Sequence, residues 1–210
     1  MTKLSLTTTL FALSSAVAGS ACVTTPEDPT AAEPAAAPVA RETHGADACP
    51  ANTPAALAPA ADADLAFALN AQGVQRYACV ASTTGYAWTF VAPAADLFSD
   101  DPHGFAVHHF AGPTWLARDS SSVLGTKVAA STVDATAIPW LLLNVASHGG
   151  EDGTLTDITA IQRLATTGGL APATGCDANH VGMQSDVLYT ARYFFYRSAP
   201  NVAHRVRCGG

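Results

Sequence analysis

The chain has 210 residues, of which 10 are lysine or arginine and 17 are aspartate or glutamate, so its formal net charge is −7. A net acidic chain without a basic cluster argues against nucleic acid and anionic membrane surfaces as partners, because both carry negative charge. Five cysteines are present, but the absence of a Cys-x-x-Cys pair argues against a zinc-finger site.

The N-terminus has the pattern of an export signal. Lys3 precedes a mostly apolar run that extends to Val17, and small residues follow it. This run is too short and too rich in serine and threonine for a membrane span, which needs about 20 apolar residues. We therefore predict that residues 1–21 are a signal peptide and that the mature protein is exported.

Two processing sites compete at the end of this signal. The sequence Gly19-Ser20-Ala21-Cys22 has the form of a lipobox, with Gly19 in place of the usual leucine, and Cys22 would become the lipidated N-terminus. The other possibility is a general signal peptidase that cuts after Ala18 or Ala21. We favour the lipoprotein, because diacylation of a cysteine that precedes a linker gives stable anchoring to a membrane at the cell envelope.

Residues 22–48 are predicted to be a disordered tether rich in alanine and proline. Proline at this density blocks helix and favours extended chain. Large apolar side chains are too few here to offset the entropy lost on ordering. The remaining residues 49–210 have the length of a single domain.

Four cysteines lie in the predicted domain: Cys49, Cys79, Cys176 and Cys208. An even number of cysteines in an exported chain indicates disulfides, and four cysteines allow three pairings. We favour Cys79 with Cys176 inside the domain, and Cys49 with Cys208 across its two ends.

The domain has the pattern of a mainly β fold. Predicted strands cover residues 73–81, 86–90, 105–109, 122–129, 139–145, 186–197 and 202–208, and glycine and proline clusters separate them. The nearly continuous apolar run at 139–145 is typical of a strand buried on both faces. A short helix is predicted at residues 62–70, and residues 155–165 are ambiguous between helix and strand. We predict a disulfide-bonded β-sandwich or barrel-like domain with at most one or two short helices.

Short motifs follow one another in a recognisable order between residues 57 and 197. They occupy residues 73–79, 88–90, 93–97, 109–115, 119–123, 138–143, 161–163, 167–172 and 189–196. Their order and spacing resemble DUF3455, a family of exported bacterial and fungal proteins whose function is undefined. This chain departs from the family pattern at Ser120, where glycine is usual. The resemblance supports the Cys79–Cys176 pairing, since both cysteines fall at family positions, but it implies no reaction.

Four residues in these motifs carry chemistry that a ligand site needs: His109, Trp115, Asp119 and Arg163. His109 could ligate a metal, although a hydrogen-bonded structural role beside Trp115 is favoured. Trp115 follows a Gly-Pro turn and could offer its ring to a sugar, an inference by analogy with sugar-binding sandwiches. Arg163 could bind a carboxylate or phosphate through paired hydrogen bonds, but a structural bridge to Asp119 or Asp157 is favoured.

Catalysis has less support in the sequence. No Gly-x-Ser-x-Gly elbow is present, and no Gly-x-Gly-x-x-Gly motif indicates a nicotinamide cofactor. We predict a non-enzymatic binding or structural module at the cell envelope, with a glycan or small molecule as its ligand and neither metal nor cofactor. The alternative is a secreted hydrolase or metal-dependent enzyme that uses His109 with Asp119 or Arg163. Redox or copper handling is a third and weaker class.

Overall fold

A computed structural model describes residues 49–100, 106–201, 203 and 206–209 of the chain. Residues 1–48, which include the predicted signal peptide, Cys22 and the predicted tether, lie outside this part. The described residues form eight strands and one 3₁₀ turn. The turn is Ala55–Leu57, and the strands are β1 (Ala63–Ser82), β2 (Gly85–Phe98), β3 (Ala106–Phe110), β4 (Thr114–Ala117), β5 (Ser121–Ser131), β6 (Trp140–Gly150), β7 (Ile158–Gly168) and β8 (Gln184–Ser198). The predicted mainly β class is confirmed, and no helix in these residues is long and apolar enough to cross a membrane.

The strands form one closed antiparallel barrel in which each strand pairs with its neighbours in the sequence. Closure comes from β1 and β8, which pair from Ala63 opposite Ser198 to Ala78 opposite Gln184. In such an up-and-down arrangement, the turns β1–β2, β3–β4, β5–β6 and β7–β8 all lie at one end of the barrel. We call this end the turn end.

Side chains alternate between the two faces of every strand, and the inner face holds the larger hydrophobic core. On β8, Tyr189, Ala191, Tyr193 and Phe195 all point inward, as the alternation in the sequence predicts. Leu155, which precedes β7, is fully buried in this inner core. It belongs to the β6–β7 connection, so the end of the barrel opposite the turn end is filled by side chains.

A second hydrophobic cluster lies on the outer face of β1, β6, β7 and β8. Trp140, Leu142, Leu164 and Phe194 are buried there together with Leu57 of the 3₁₀ turn. This second buried face explains the continuous apolar sequence at the start of β6, because Leu141 and Leu143 pack inward while their neighbours pack outward.

Polar contacts fix the chain ends over this outer cluster. The buried Gln162 side chain donates to the carbonyls of Leu57 and Cys208, and its own carbonyl accepts from the Tyr196 hydroxyl at 2.7 Å. A buried group left without such a partner costs about 1–3 kcal/mol. The Cys49–Cys208 disulfide ties the two terminal segments together at the same place.

The second disulfide joins Cys79 of β1 to Cys176 in the β7–β8 connection. Both disulfides have the pairing favoured from the sequence. Two disulfides in one small domain indicate an oxidising environment.

Two of the sequence expectations are wrong. Residues 62–70 were expected to form a helix, but Ala63 begins the long strand β1. The alanine and leucine content there suits a helix locally, yet pairing with β8 and burial on both faces override that preference. Val206 and Arg207, expected in a final strand, have no strand structure. The ambiguous segment 155–165 is resolved as a turn followed by β7.

The conformation of the turn between β4 and β5 explains why the family pattern usually has glycine where this chain has Ser120. Ser120 has a φ of 68°, in the left-handed region that glycine adopts without strain. A side chain in this conformation costs about 1–2 kcal/mol.

We therefore expect Ser120→Gly to raise the free energy of unfolding by about 1 kcal/mol, because the relieved strain exceeds the entropy that glycine adds to the unfolded chain. Urea unfolding followed by circular dichroism measures the difference. Ser122→Gly, within β5, is the matched control and should lower stability by about 0.5–1 kcal/mol. A loss of stability in Ser120→Gly would contradict the assigned turn.

Candidate functional site

The barrel contains a cavity of about 300 Å³ toward the turn end. All eight strands contribute to its wall. Gln75, His109, Trp115, Lys127, Arg163 and Tyr193 come from β1, β3, β4, β5, β7 and β8, while Pro93 of β2 and Leu141 of β6 complete the ring. The cavity is therefore the part of the barrel interior that side chains leave unfilled.

An aromatic stack forms one wall of this cavity. His109 lies directly opposite Trp115 across the β3–β4 hairpin, and their rings are stacked with centroids 4.3 Å apart. Tyr193 meets both rings edge-on, at 5.5 Å from His109 and 6.0 Å from Trp115. A side chain at Gly125 would lie 2.8 Å from the Trp115 ring, so this glycine leaves room for the indole.

His109 is held as a neutral ring. Its Nδ1 donates to the Thr114 carbonyl at 3.0 Å, since a carbonyl can only accept. Burial lowers the pKa of His109 to about 4, against the opposing effect of this hydrogen bond. The nearby Arg163 charge lowers it further. Nε2 is then a hydrogen-bond acceptor, and the ring is hydrogen-bonded and stacked on Trp115.

Arg163 enters the barrel interior from the middle of β7. It lies opposite Leu141 on β6 and Tyr193 on β8, and one of its Nη atoms donates to the Pro139 carbonyl at 2.8 Å. Neither Asp119 nor Asp157 pairs with it in the described part of the chain. The expected structural ion pair is therefore wrong.

Three buried nitrogen donors around the cavity have no hydrogen-bond partner among the described residues. They are Gln75 Nε2, Trp115 Nε1 and Arg163 Nε, in residues that are 3%, 1% and 9% exposed. The Tyr189 hydroxyl lies near Gln75 and the Tyr193 hydroxyl near Arg163, but neither forms a well-aligned hydrogen bond with these nitrogens. Buried polar groups are normally paired, and an unpaired one requires an explanation. A hydrogen-bond acceptor bound in the cavity would explain these unpaired donors.

The charges at the cavity are positive. Among the described residues that line it, Arg163 and Lys127 are cationic and no aspartate or glutamate is present. Arg163 is nearly buried, whereas Lys127 is exposed at the rim. A guanidinium is always charged in proteins, so the cavity combines one buried cation with one that water screens.

The mouth of the cavity is apolar. Phe90 and Val91 are about half exposed and both line it. They are consecutive residues, which a regular strand would place on opposite faces. The irregular pairing of β1 with β2, where Tyr77 is opposite Phe90 and Arg76 is opposite Ala92, leaves Val91 as an extra residue. Bulges of this kind redirect side chains next to functional sites.

Asp119 is the one predicted site residue that does not line the cavity. Its carboxylate accepts hydrogen bonds from the backbone and hydroxyl groups of Ser121 and Thr154. These bonds hold the pKa of the Asp119 carboxyl well below its usual range, the Ser121 hydroxyl being the largest cause. Asp119 thus connects the β4–β5 turn to the β6–β7 connection.

Three of the four predicted residues therefore converge, and the sequence reading missed three others. Gln75, Lys127 and Tyr193 were not predicted to belong to the site. Strand alternation could have placed Tyr193 inward, but only the closed barrel brings Gln75 of β1 near Arg163. In the described residues, no group of three histidine, cysteine or acidic side chains could hold a metal ion.

Fold and site together define a closed eight-stranded antiparallel barrel with a cationic, aromatic-walled interior cavity. The model of the family described as "Protein of unknown function (DUF3455)" matches residues 59–197, and the chain belongs to this family. Searches of curated proteins and of solved structures found no match to the chain.

The neutral His109 leads to a pH prediction. Its folded-state pKa of about 4 lies below the ordinary value of 6.5, so between these values the folded protein binds fewer protons than the unfolded chain. The stability that depends on neutral His109 is present above about pH 6.5 and is lost as the pH falls toward 4.

Imidazole ¹⁵N NMR measures this directly. We expect His109 to keep the neutral Nδ1–H form at pH 5, because burial disfavours the charged ring and protonation would also place a second charge beside Arg163. A His109 ring that titrates near pH 6.5 would show that it is solvated, contrary to its placement in the structure.

Proposed function

We propose that this protein is a non-enzymatic binding module that holds a small molecule in the barrel interior. The observation that carries the proposal is that Gln75, Trp115 and Arg163 line one cavity and that each has a buried nitrogen donor without a hydrogen bond to the described residues. An unpaired buried polar group costs free energy, and a bound acceptor would recover it.

The rest of the cavity suits the apolar part of such a ligand. Phe90, Pro93, Leu141 and Leu143 contribute side chains without hydrogen-bonding groups. A few placed polar groups in a mostly apolar cavity are typical of small-molecule sites. Eight-stranded barrels also have an interior wide enough for one small ligand, which is an argument from fold alone.

Trp115 favours a small enclosed ligand over a glycan bound at the surface. Its ring is only 1% exposed and one face is covered by His109. Sugar binding by stacking needs an accessible ring face, which the buried Trp115 ring does not offer.

The enzymatic alternative lacks a comparable observation. A hydrolase using His109 with Asp119 would need the two side chains to act on one substrate. His109 lines the cavity, but Asp119 is engaged by Ser121 and Thr154 outside the set of lining residues. We therefore propose binding without catalysis.

We further propose that the domain is held at the cell envelope by a lipid on Cys22, with residues 22–48 as the tether. The lipobox-like sequence at Gly19–Cys22 and the two disulfides support this location. A binding module with this anchor would capture its ligand close to the membrane.

Mass spectrometry of protein purified in mild detergent from its own envelope tests both proposals. Under native conditions we expect an added mass that disappears on denaturation. The denatured chain should begin at Cys22 and carry a diacylglyceryl group. Native protein without any added small molecule would contradict ligand binding, and an unmodified N-terminus would contradict the anchor.

A cavity-filling variant locates the ligand. Leu141→Trp should abolish the added mass, because the larger side chain occupies the cavity. Leu188→Trp is the matched control, since Leu188 is 74% exposed on β8 and does not line the cavity. Circular dichroism confirms that both variants are folded. Equal ligand content in the two variants would place the ligand elsewhere.

A further inference from the structure

We propose that the ligand is an organic carboxylate with an apolar body, and that Arg163 binds its carboxylate group. This inference rests on the proposed binding function and specifies the chemical class that the cavity selects. It follows from the positive charge of Arg163 inside the barrel, which no carboxylate of the described residues balances.

Burial of Arg163 is the first step. A charged group taken out of water is costly unless an opposite charge compensates it. The Arg163 side chain is 9% exposed, and no carboxylate lines its cavity in the described residues. The surrounding polar groups do not neutralise it, because the Pro139 carbonyl, the Tyr193 hydroxyl and the neutral His109 ring carry no net charge.

The free donors of Arg163 indicate a carboxylate. Its Nε has no partner, while one Nη donates to the Pro139 carbonyl. The Nη on the same edge as Nε is the one that donates to Pro139, and it carries a second N–H. This N–H and Nε–H form an edge of the guanidinium plane that a carboxylate can bind through two parallel hydrogen bonds. The Pro139 bond holds the guanidinium in place, so little of its freedom remains to be lost when an anion binds.

The neighbouring donors extend this anion site. Trp115 Nε1 and Gln75 Nε2 are also buried without partners, and each suits an oxygen acceptor. They are neutral, so they stabilise an anion without repelling Arg163. Lys127 at the rim adds a second, screened positive charge that attracts anions to the mouth.

The apolar wall defines the rest of the ligand. Phe90 and Val91 at the mouth and Leu143 inside offer only apolar contacts. A small inorganic anion would leave this surface uncovered, whereas an aromatic or alkyl carboxylate would bury its body there. The cavity thus favours an amphipathic acid over inorganic phosphate or a sugar.

Calorimetric titration with matched acid and alcohol pairs tests the inference. The probes are benzoate with benzyl alcohol, 1-naphthoate with 1-naphthalenemethanol, and decanoate with decanol, each added to the mature protein after removal of any retained ligand. We expect at least one acid to bind about ten-fold or more tightly than its alcohol, because hydrogen bonds to a charged group are the stronger ones.

Arg163→Met tests the charge of Arg163 apart from the apolar cavity. Methionine has a similar length without the charge, and we expect the acid to lose its advantage and bind within about two-fold of the alcohol. Arg118→Met, at an exposed arginine in the β4–β5 turn, is the matched control and should keep the acid preference. If Arg163→Met does not fold, Arg163→Lys is the second variant. Its preference for the acid over the alcohol should fall, because an ammonium cannot form two parallel hydrogen bonds with a carboxylate.

Each outcome decides a different claim. Binding of neither acid nor alcohol in any pair would contradict the proposed binding function itself. Equal binding of acid and alcohol would leave that function standing and overturn the carboxylate inference. An acid preference that persists in Arg163→Met would overturn the role of Arg163. A preference present in the wild type and in Arg118→Met, and lost in Arg163→Met, would support the inference.

Discussion

The pairing of β1 with β8 is the constraint on which the rest of the structure depends. It joins the first and last strands along most of their length, and it turns a sheet with two edges into a barrel with an inside and an outside. Gln75 on β1 and Arg163 on β7 face the same enclosed space only because β8 lies between their strands. Without closure these side chains would lie on one exposed sheet face, where water would satisfy them. Closure therefore creates both the cavity and the free-energy cost of leaving its donors unpaired.

The two faces of this barrel are stabilised in different ways. The outer face of four strands is covered by the terminal segments, which the Gln162 hydrogen bonds and the Cys49–Cys208 disulfide hold in place. The inner face is filled by side chains at one end and left partly empty at the turn end. Every polar group in the Gln162 network has a partner, whereas the donors on Gln75, Trp115 and Arg163 do not. This contrast within one protein is the basis for our proposal that the inner donors bind a ligand.

Local pattern was enough to predict much of the fold and part of the site. The alternation on β8 indicated a strand, and Gly112-Pro113 indicated a turn before Trp115. In the structure this turn joins β3 to β4, which explains why His109 and Trp115 face each other. Residues 62–70 were misread because their preference for helix is local, while the pairing that overrides it joins residues more than a hundred positions apart. The partner of Arg163 was misread for the same reason, since a sequence shows nearby carboxylates but does not show which side chains share an enclosed space.

We propose that the unpaired donors of the cavity bind a carboxylate. The most direct measurement is the ¹H–¹⁵N spectrum of the three tryptophan indole groups with and without the acid that binds most tightly in the calorimetric titration. We expect the Trp115 indole proton to move downfield as Nε1 gains an acceptor. Trp88, whose Nε1 already donates to the Thr174 carbonyl at 2.9 Å, serves as the internal reference and should stay in place. A Trp115 signal that stays unmoved when this acid saturates the protein would contradict binding of the carboxylate by these donors.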